Sequence, residues 1–538
     1  MNKPVLKTAL CVALAAAMVP AFAAELVLIS ANTGTGRGLE DPSPKTPEGL
    51  NPGTTLGQQR TLAYQFAMDL WGSVLESDAT VFVGASFAPL ACSPTSGVLG
   101  SAGTTFIFSD FAPGVVSNTW YGSALADSIA GSDLNPGFID LNSRFNGDIG
   151  VNPDCLTGGD WYYGLDGKTP TGKFNFLNVV MHELGHGLGF QGFTNAAGGF
   201  LGGRKDIYST FAFDNVLART YPEMTAAQRA AAIVSPGRTV WSGSNVNQQA
   251  TLILDNRAAL RVTAPAVIAG SYEVATATFG PPASASNFSG TIVAALDGGA
   301  VSTDACEAIS NASAVAGNIA LVDRGTCPFT VKAANVQAAG ASGMLVANNA
   351  AGVPPLGGAD PSITIATVGI SQANGASLRA NLPAQASFAI DPNLFQGADA
   401  AGRVRLFAPN PHQLGSSFSH FDTALAPNAL MEPSITTTLR GDVNLDLTPA
   451  LFADVGWRLN EGNARIGNCT TNVDVVQDGG LIFGANVQAW SKLCLRTSSS
   501  QDEYQSCMDG YKTRALAEGV LAGNQAGKVM ACAAKILK

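Results

Sequence analysis

The sequence predicts an α+β chain of several units: a host domain, an α+β module inserted into it, and a small disulfide-rich helical C-terminal tail. Three observations carry this reading. Apolar residues recur at helical spacing over 55–75 and 174–188, with strand-like runs between them. From about residue 258 the character changes to short β-branched runs separated by Gly, Pro and Ser. Four of the nine cysteines, Cys469, Cys494, Cys507 and Cys532, crowd into the last stretch of chain.

The elements follow in order. Residues 1–23 read as an export signal, with a basic n-region at Lys3 and Lys7, an apolar run over 9–19, and a small-x-small cleavage site at Ala21-Phe22-Ala23. That run is too short to span a membrane comfortably. Residues 24–50 are rich in Gly, Pro and Thr and read as extended chain. Leu56, Leu62, Phe66, Leu70 and Val74 then mark one long amphipathic helix. Strands are expected at 79–87, 104–108 and 138–141, a Gly/Asp-rich loop at 152–168, and a second helix at 174–188. A helix is expected at 225–232. The inserted module shows strands at 319–322, 343–347 and 363–370, with a helix over 331–339. A further helix starts at Thr448-Pro449, read as an N-cap followed by Pro at N1. The expected domains are a signal peptide at 1–23, a host domain in two parts at 24–257 and 391–461, the module at 258–390, and the tail at 462–538.

Composition narrows the function classes. Of 538 residues, 46% are hydrophobic and 13% charged, enough apolar material for sizeable cores. The net charge is −10, more negative once Lys3 and Lys7 are removed, and no Lys/Arg-rich patch occurs. Nucleic acid and anionic membrane surfaces are therefore poor partners. Beyond the leader eight cysteines remain, an even number that favours disulfides in a secreted or extracytoplasmic protein, periplasmic or extracellular. Locality suggests Cys92 with Cys155, Cys306 with Cys327, and two bridges among the last four.

The chemistry concentrates in Val180-Met181-His182-Glu183-Leu184-Gly185-His186-Gly187-Leu188-Gly189-Phe190. Residues at i and i+4 share a helix face, so His182 and His186 can ligate one ion, and Glu183 stands beside that face. Leu177, Val180, Met181, Leu184 and Leu188 form an apolar stripe that anchors the helix. Each of Gly185, Gly187 and Gly189 costs roughly 1 kcal/mol relative to Ala in a helix, so each needs a packing reason. A hydrolytic zinc site wants three protein ligands and an open position. The remaining histidines, His412 and His420, are the candidates for the third.

This segment resembles the start of the metzincin signature, with Gly189 at the turn. Gly192 stands where an uninterrupted signature has its third His. The chain is more similar to leishmanolysin-type metallopeptidases, in which a long insertion precedes the third His and a Met-turn follows it. Ser419-His420-Phe421-Asp422, Asn428-Ala429-Leu430-Met431-Glu432-Pro433 and Leu451-Phe452-Ala453-Asp454-Val455-Gly456-Trp457 carry that resemblance. It implies a metzincin-like catalytic domain, a twisted sheet plus an active-site helix, with His182, His186 and His420 as metal ligands. It also implies Glu183 as general base and Met431 beneath the metal.

Gly317-Asn318-Ile319-Ala320-Leu321-Val322-Asp323-Arg324-Gly325-Thr326-Cys327-Pro328-Phe329, Lys332 onward to Gly343, and Val346-Ala347-Asn348-Asn349 resemble the protease-associated (PA) domain. Cys306 and Cys327 match that family's disulfide. The resemblance implies a role in substrate access or protein contact.

The expected function is that of a secreted zinc metalloendopeptidase acting on protein or peptide substrates. Glu183 would take a proton from water and pass it to the leaving amine. The substrate would lie extended against an edge strand, for which 81–87 and 138–141 are the candidates. Asp154, Asp160 and Asp166 lie in one Gly-rich loop, read first as a solvated polar loop and second as a structural Ca²⁺ site. The competing reading is a non-catalytic secreted binding or adhesion protein that uses the PA domain and the tail.

Overall fold

The 55–75 pattern folds into helix α1, Leu56–Val74. Thr55 caps it in a capping box: its hydroxyl accepts from the Gln58 amide at 3.2 Å, and the Gln58 side chain accepts from the Thr55 amide at 3.3 Å. The expected amphipathic face proves too narrow, because α1 is buried on nearly every side, Arg60 and Asp69 included. The tail covers its outer face. Trp490, on the helix Phe483–Thr497, packs edge-on against Phe66 at 5.2 Å, and Lys492 pairs with Asp69 at 3.3 Å.

The computed structural model describes residues 23–350 and 352–536. Residues 1–22 of the expected export signal lie outside them. Among the described residues no helix is long and apolar enough to cross a membrane. The chain divides into two units, one of residues 1–211, 225–230 and 430–538, the other of 212–224 and 231–429. Residues 212–224, 231–257 and 391–429, read from the sequence with the host domain, thus cluster with the second unit.

The first unit contains a four-stranded sheet of β1 (Leu26–Ser30), β2 (Val81–Ala88), β3 (Gly100–Thr104) and β4 (Leu141–Asn146), in the order β1-β2-β4-β3. The first three in that order run parallel and β3 runs antiparallel to β4. Both strands expected at an edge, 81–87 and 138–141, therefore miss it. The first is interior β2, and the second leads into interior β4. The edges are β1 and β3. Glycines and a serine make β3 a poor strand by composition, and the structure explains them: a Cβ on Gly100 would stand 2.8 Å from Glu183 Oε1.

Helix α2, Ser123–Ala130, follows β3 in the chain, and helix α3, Phe176–Leu188, carries the His-Glu-x-x-His motif. Near the C-terminus the helix Thr448–Val455 starts one residue earlier than expected. Leu447 is its N-cap residue and Pro449 lies in its first turn, while Asp446 Oδ1 accepts from the Leu447 amide at 2.6 Å. The tail contributes the helices Phe483–Thr497, Gln501–Ala517 and Gly523–Ala533 and a two-stranded hairpin, Asn463–Ile466 with Cys469–Asp474.

The second unit is built on an eight-stranded mixed sheet. Its centre runs parallel through Ser289–Ala294, Ile319–Asp323, Gly343–Ala347 and Ala366–Ile370. The long antiparallel pair Asn256–Ala264 and Ala384–Phe395 flanks it. One cluster around Leu260, Phe288, Leu345 and Val368 is fully buried, and a second collects Val322, Val336, Met344 and Val346. These near-continuous apolar strands are what a sheet covered on both faces requires.

Four disulfides form: Cys92–Cys155, Cys306–Cys327, Cys469–Cys532 and Cys494–Cys507. They fit an oxidising compartment.

Candidate metal centre and general base

Helix α3 is seated before its chemistry begins. The Asn175 side chain caps it by accepting from the Asn178 amide at 3.0 Å. Asn178 then donates to the Leu439 carbonyl at 3.0 Å and accepts from the Gly441 amide at 3.1 Å. Trp71 donates to the Met181 carbonyl at 3.1 Å, and Trp457 to the Leu188 carbonyl at 2.7 Å. The apolar stripe from Leu177 to Leu188 is buried throughout.

The glycines have packing reasons. A Cβ on Gly185 would stand 2.7 Å from Met431 Sδ, and one on Gly187 would stand 2.8 Å from Leu141 Cβ. Gly189 ends the helix at φ +137°, a backbone conformation that side-chain-bearing residues avoid. Met431, fully buried, thus packs directly on the turn between the two histidines. Gly185→Ala gains about 1 kcal/mol of helix propensity and costs about 1–3 kcal/mol through overpacking against Met431, so it is expected not to stabilise and to lower stability, read at the midpoint of chemical unfolding, by up to about 2 kcal/mol. A midpoint raised by the full helix-propensity gain would contradict this packing.

Both imidazoles of the motif are oriented by backbone carbonyls. His182 Nδ1 lies 2.7 Å from the Leu430 carbonyl, and His186 Nδ1 lies 2.8 Å from the Phe190 carbonyl. A carbonyl only accepts, so each Nδ1 carries the hydrogen and each Nε2 carries a lone pair. The two Nε2 atoms face one another at 3.0 Å. Burial keeps both rings neutral, lowering His182 to about 4 and His186 to about 3. Two lone pairs aimed at one point repel unless a cation lies between them. This donor set fits a transition metal bound through imidazole nitrogen.

A pH prediction follows. Unfolded, these histidines bind protons below about 6.5; folded and metal-free, they do so only near 4 and 3. Between those values the two rings hold more protons in the unfolded chain, so their contribution to stability falls as pH drops. At pH 5 each ring contributes roughly 2 kcal/mol of destabilisation relative to pH 7. Glu183 and Asp446, raised by burial to about 8 and about 7, act in the opposite sense over the same range, so the histidine contribution is read by difference. Between pH 7 and pH 5 the urea midpoint of the metal-free wild type should fall relative to that of metal-free His182→Ala; an identical pH dependence of the two would refute it.

Glu183 is buried beside the pair, and burial pushes its carboxyl up to about 8. The Ala102 amide of β3 faces it and opposes that rise. The hydrogen-bonded pairs that bracket β3 join Leu99 to Asn146 and Thr105 to Asp140, at 2.9 and 2.8 Å. That register turns the backbone groups of Gly100, Ala102 and Thr104 away from β4, towards the open edge. The sequence reading missed β3 as part of the site. Its only signal is small residues, which are equally common in loops.

A second missed residue is Asp446. Its Oδ2 accepts from the Leu430 amide at 2.5 Å, which holds the same peptide segment whose carbonyl orients His182. Burial raises Asp446 to about 7.

His420 lies in the second unit, buried. Its Nδ1 sits 2.8 Å from the Ser416 carbonyl, and its own carbonyl accepts from the Phe407 amide at 2.9 Å. The carbonyl thus assigns it the same tautomer as His182 and His186. The candidate Ca²⁺ loop is not gathered. Asp160 pairs with Lys173 at 3.2 Å and Lys45 at 3.7 Å, Asp166 accepts from the Tyr162 hydroxyl at 2.7 Å, and Asp154 is exposed. The salt bridges and the tyrosine take carboxylates that a cation would need.

Fold and site define a class: an α+β protein with a buried His-Glu-x-x-His helix in one unit and a mixed sheet in the other. The second unit contains a PA domain, for residues 288–378 match that family. Over 97 residues the chain is 44% identical to vacuolar-sorting receptor 2 of Arabidopsis thaliana, a match covering 17% of this chain and 15% of the receptor. Over 53 residues it is 51% identical to an aminopeptidase of Pseudomonas aeruginosa, covering 10% of each. Among solved structures, the zinc aminopeptidase BSAP of Bacillus subtilis matches 31% of this chain and 38% of its own, at 20% identity and a TM-score of 0.19. The chain thus spans 10–15% of the length of the curated relatives named here.

Proposed function

We propose that this protein is a zinc-dependent endopeptidase of the metzincin class, resembling the leishmanolysin type and working in an extracytoplasmic compartment. The facing Nε2 lone pairs of His182 and His186, 3.0 Å apart beside the buried carboxyl of Glu183, carry the reading. His420 is the proposed third ligand, since its ring is held through Nδ1 as theirs are. Met431 supports the site by packing against Gly185 rather than by ligation. Three neutral imidazoles leave a bound zinc ion its full charge, which supplies Lewis acidity towards a carbonyl and lowers the pKa of water.

The protein's own groups perform the remaining work. Glu183 accepts a proton at its carboxylate and returns it to the leaving amine. A cation held by the neighbouring imidazoles favours the carboxylate form that this role needs. The outward backbone groups of Gly100 and Thr104 pair with an extended substrate strand, and the Ala102 amide, which holds the Glu183 carboxyl, fixes where that carboxyl stands beside the bound chain. The PA domain contributes substrate access or protein contact, and the four disulfides support export.

The test is digestion of unfolded casein by the zinc-loaded protein, with products sequenced by mass spectrometry. Internal cleavages that vanish on chelation and return with zinc are expected. Stepwise removal of N-terminal residues would replace the endopeptidase reading with the aminopeptidase activity named for the Pseudomonas relative. No cleavage under any metal condition would favour the non-catalytic binding protein.

A further inference from the structure

We propose that Asp127, Asp133 and Asp140 form a binding site for a hard divalent cation, Ca²⁺ by preference, separate from the histidine centre. Asp127 lies on α2, Asp133 in the loop after it, and Asp140 immediately before β4. One carboxylate oxygen from each lies within 4.8 Å of the others. Asp127 is 1% exposed and Asp140 2%.

Each carboxylate is pinned through one oxygen by a backbone amide. Asp127 Oδ1 accepts from Leu134 at 2.9 Å, Asp133 Oδ1 from Asn135 at 2.8 Å, and Asp140 Oδ2 from Phe82 at 2.7 Å. Each therefore keeps a second oxygen. That of Asp127, Oδ2, is buried with no amide, hydroxyl or cationic donor, and the neighbouring Asp140 carboxyl hydrogen-bonds to Asp127 only when one of the two holds a proton. A buried carboxylate oxygen without a donor is costly, and here it belongs to a cluster of three acids. Among the described residues no Lys, Arg or His forms an ion pair with any of the three.

An all-oxygen, multiply anionic donor set suits Ca²⁺ or Mg²⁺ and not a soft metal. Ca²⁺ fits better, because it accepts irregular geometry and fills remaining positions with carbonyls and water, whereas Mg²⁺ demands near-ideal octahedra. The ion would tie the end of α2 and the 131–139 loop to the start of β4. Asp140 already anchors that junction through its carbonyl, which accepts from the Thr105 amide at 2.8 Å and the Ser123 hydroxyl at 2.5 Å.

The test is calorimetric titration of CaCl₂ into the full chain, stripped of metal and reloaded with one equivalent of zinc, alongside thermal unfolding. One Ca²⁺ per chain is expected to bind, with a Tm that rises with Ca²⁺ concentration. Asp133→Asn, at the half-buried loop position, should fold and weaken Ca²⁺ binding by about tenfold or more, since ligand charge sets affinity. Absence of heat and of any Tm response in the wild-type chain would overturn the proposal, and so would wild-type Ca²⁺ affinity in Asp133→Asn. Stabilisation by mild acid without a response to Ca²⁺ would mean that the carboxyls share a proton instead, and would equally overturn it.

Discussion

Glu183→Ala is expected to retain zinc and to lower casein hydrolysis by about 10²–10⁴-fold, the range a positioned proton-transfer group supplies. The substitution removes the carboxyl that lies beside His182 and His186 and faces the Ala102 amide, and it leaves both imidazoles and their backbone carbonyls in place. Metal stoichiometry and turnover should therefore separate. It also removes a buried acid, so thermal stability should hold or rise. Measured side by side, zinc content near wild type with little turnover supports the assignment. Full turnover would remove Glu183 from the chemistry, and loss of zinc would make it part of the metal site.

His186→Ala is expected to lose zinc and activity together. The ring, in the last turn of α3, supplies one of the two nitrogens that face each other across 3.0 Å, and it is held by the Phe190 carbonyl just beyond the helix end. Outer partners of metal ligands already change affinity by about 10–100-fold when removed, and deleting a ligand should exceed that. Metal analysis after gel filtration, with circular dichroism to verify the helix, is the measurement. A folded variant that keeps one equivalent of zinc would show that the ion sits elsewhere.

Parts of this arrangement were readable in one dimension. The i, i+4 spacing of His182 and His186 places them together through helix geometry alone. Gly185 and Gly187 announced close packing, although only the structure identified Met431 Sδ and Leu141 as the atoms accommodated. The cysteine count and locality anticipated bridges at Cys92–Cys155 and Cys306–Cys327. In the tail they left open which of Cys469, Cys494, Cys507 and Cys532 pair, and the structure joins Cys469 to Cys532 and Cys494 to Cys507.

Other parts were not readable. Strand β3 hid in Gly100-Ser101-Ala102-Gly103-Thr104 because its small residues admit the Glu183 side chain, and small residues carry no strand signature. Helix α1 shows an apolar stripe, yet its polar face is also buried because Trp490, Lys492 and Arg496 of the tail pack or pair there. The Gly-rich loop with Asp154, Asp160 and Asp166 was readable as polar chain with a Ca²⁺ site as its second reading, while the convergence of Asp127, Asp133 and Asp140 was not readable at all.

The motif helix, its metal-binding chemistry as a hypothesis, the PA domain and an even set of half-cystines are legible in the order of the amino acids alone. Each is set by residues close in the chain or by a strongly patterned run. Which strand forms the edge beside Glu183, how Asp446 braces the segment orienting His182, and where Asp127, Asp133 and Asp140 meet emerge only in the folded chain. Strand order and carboxylate convergence depend on which distant segments pack together, and hydrophobic periodicity over ten or so residues reports a face to be buried without naming what buries it.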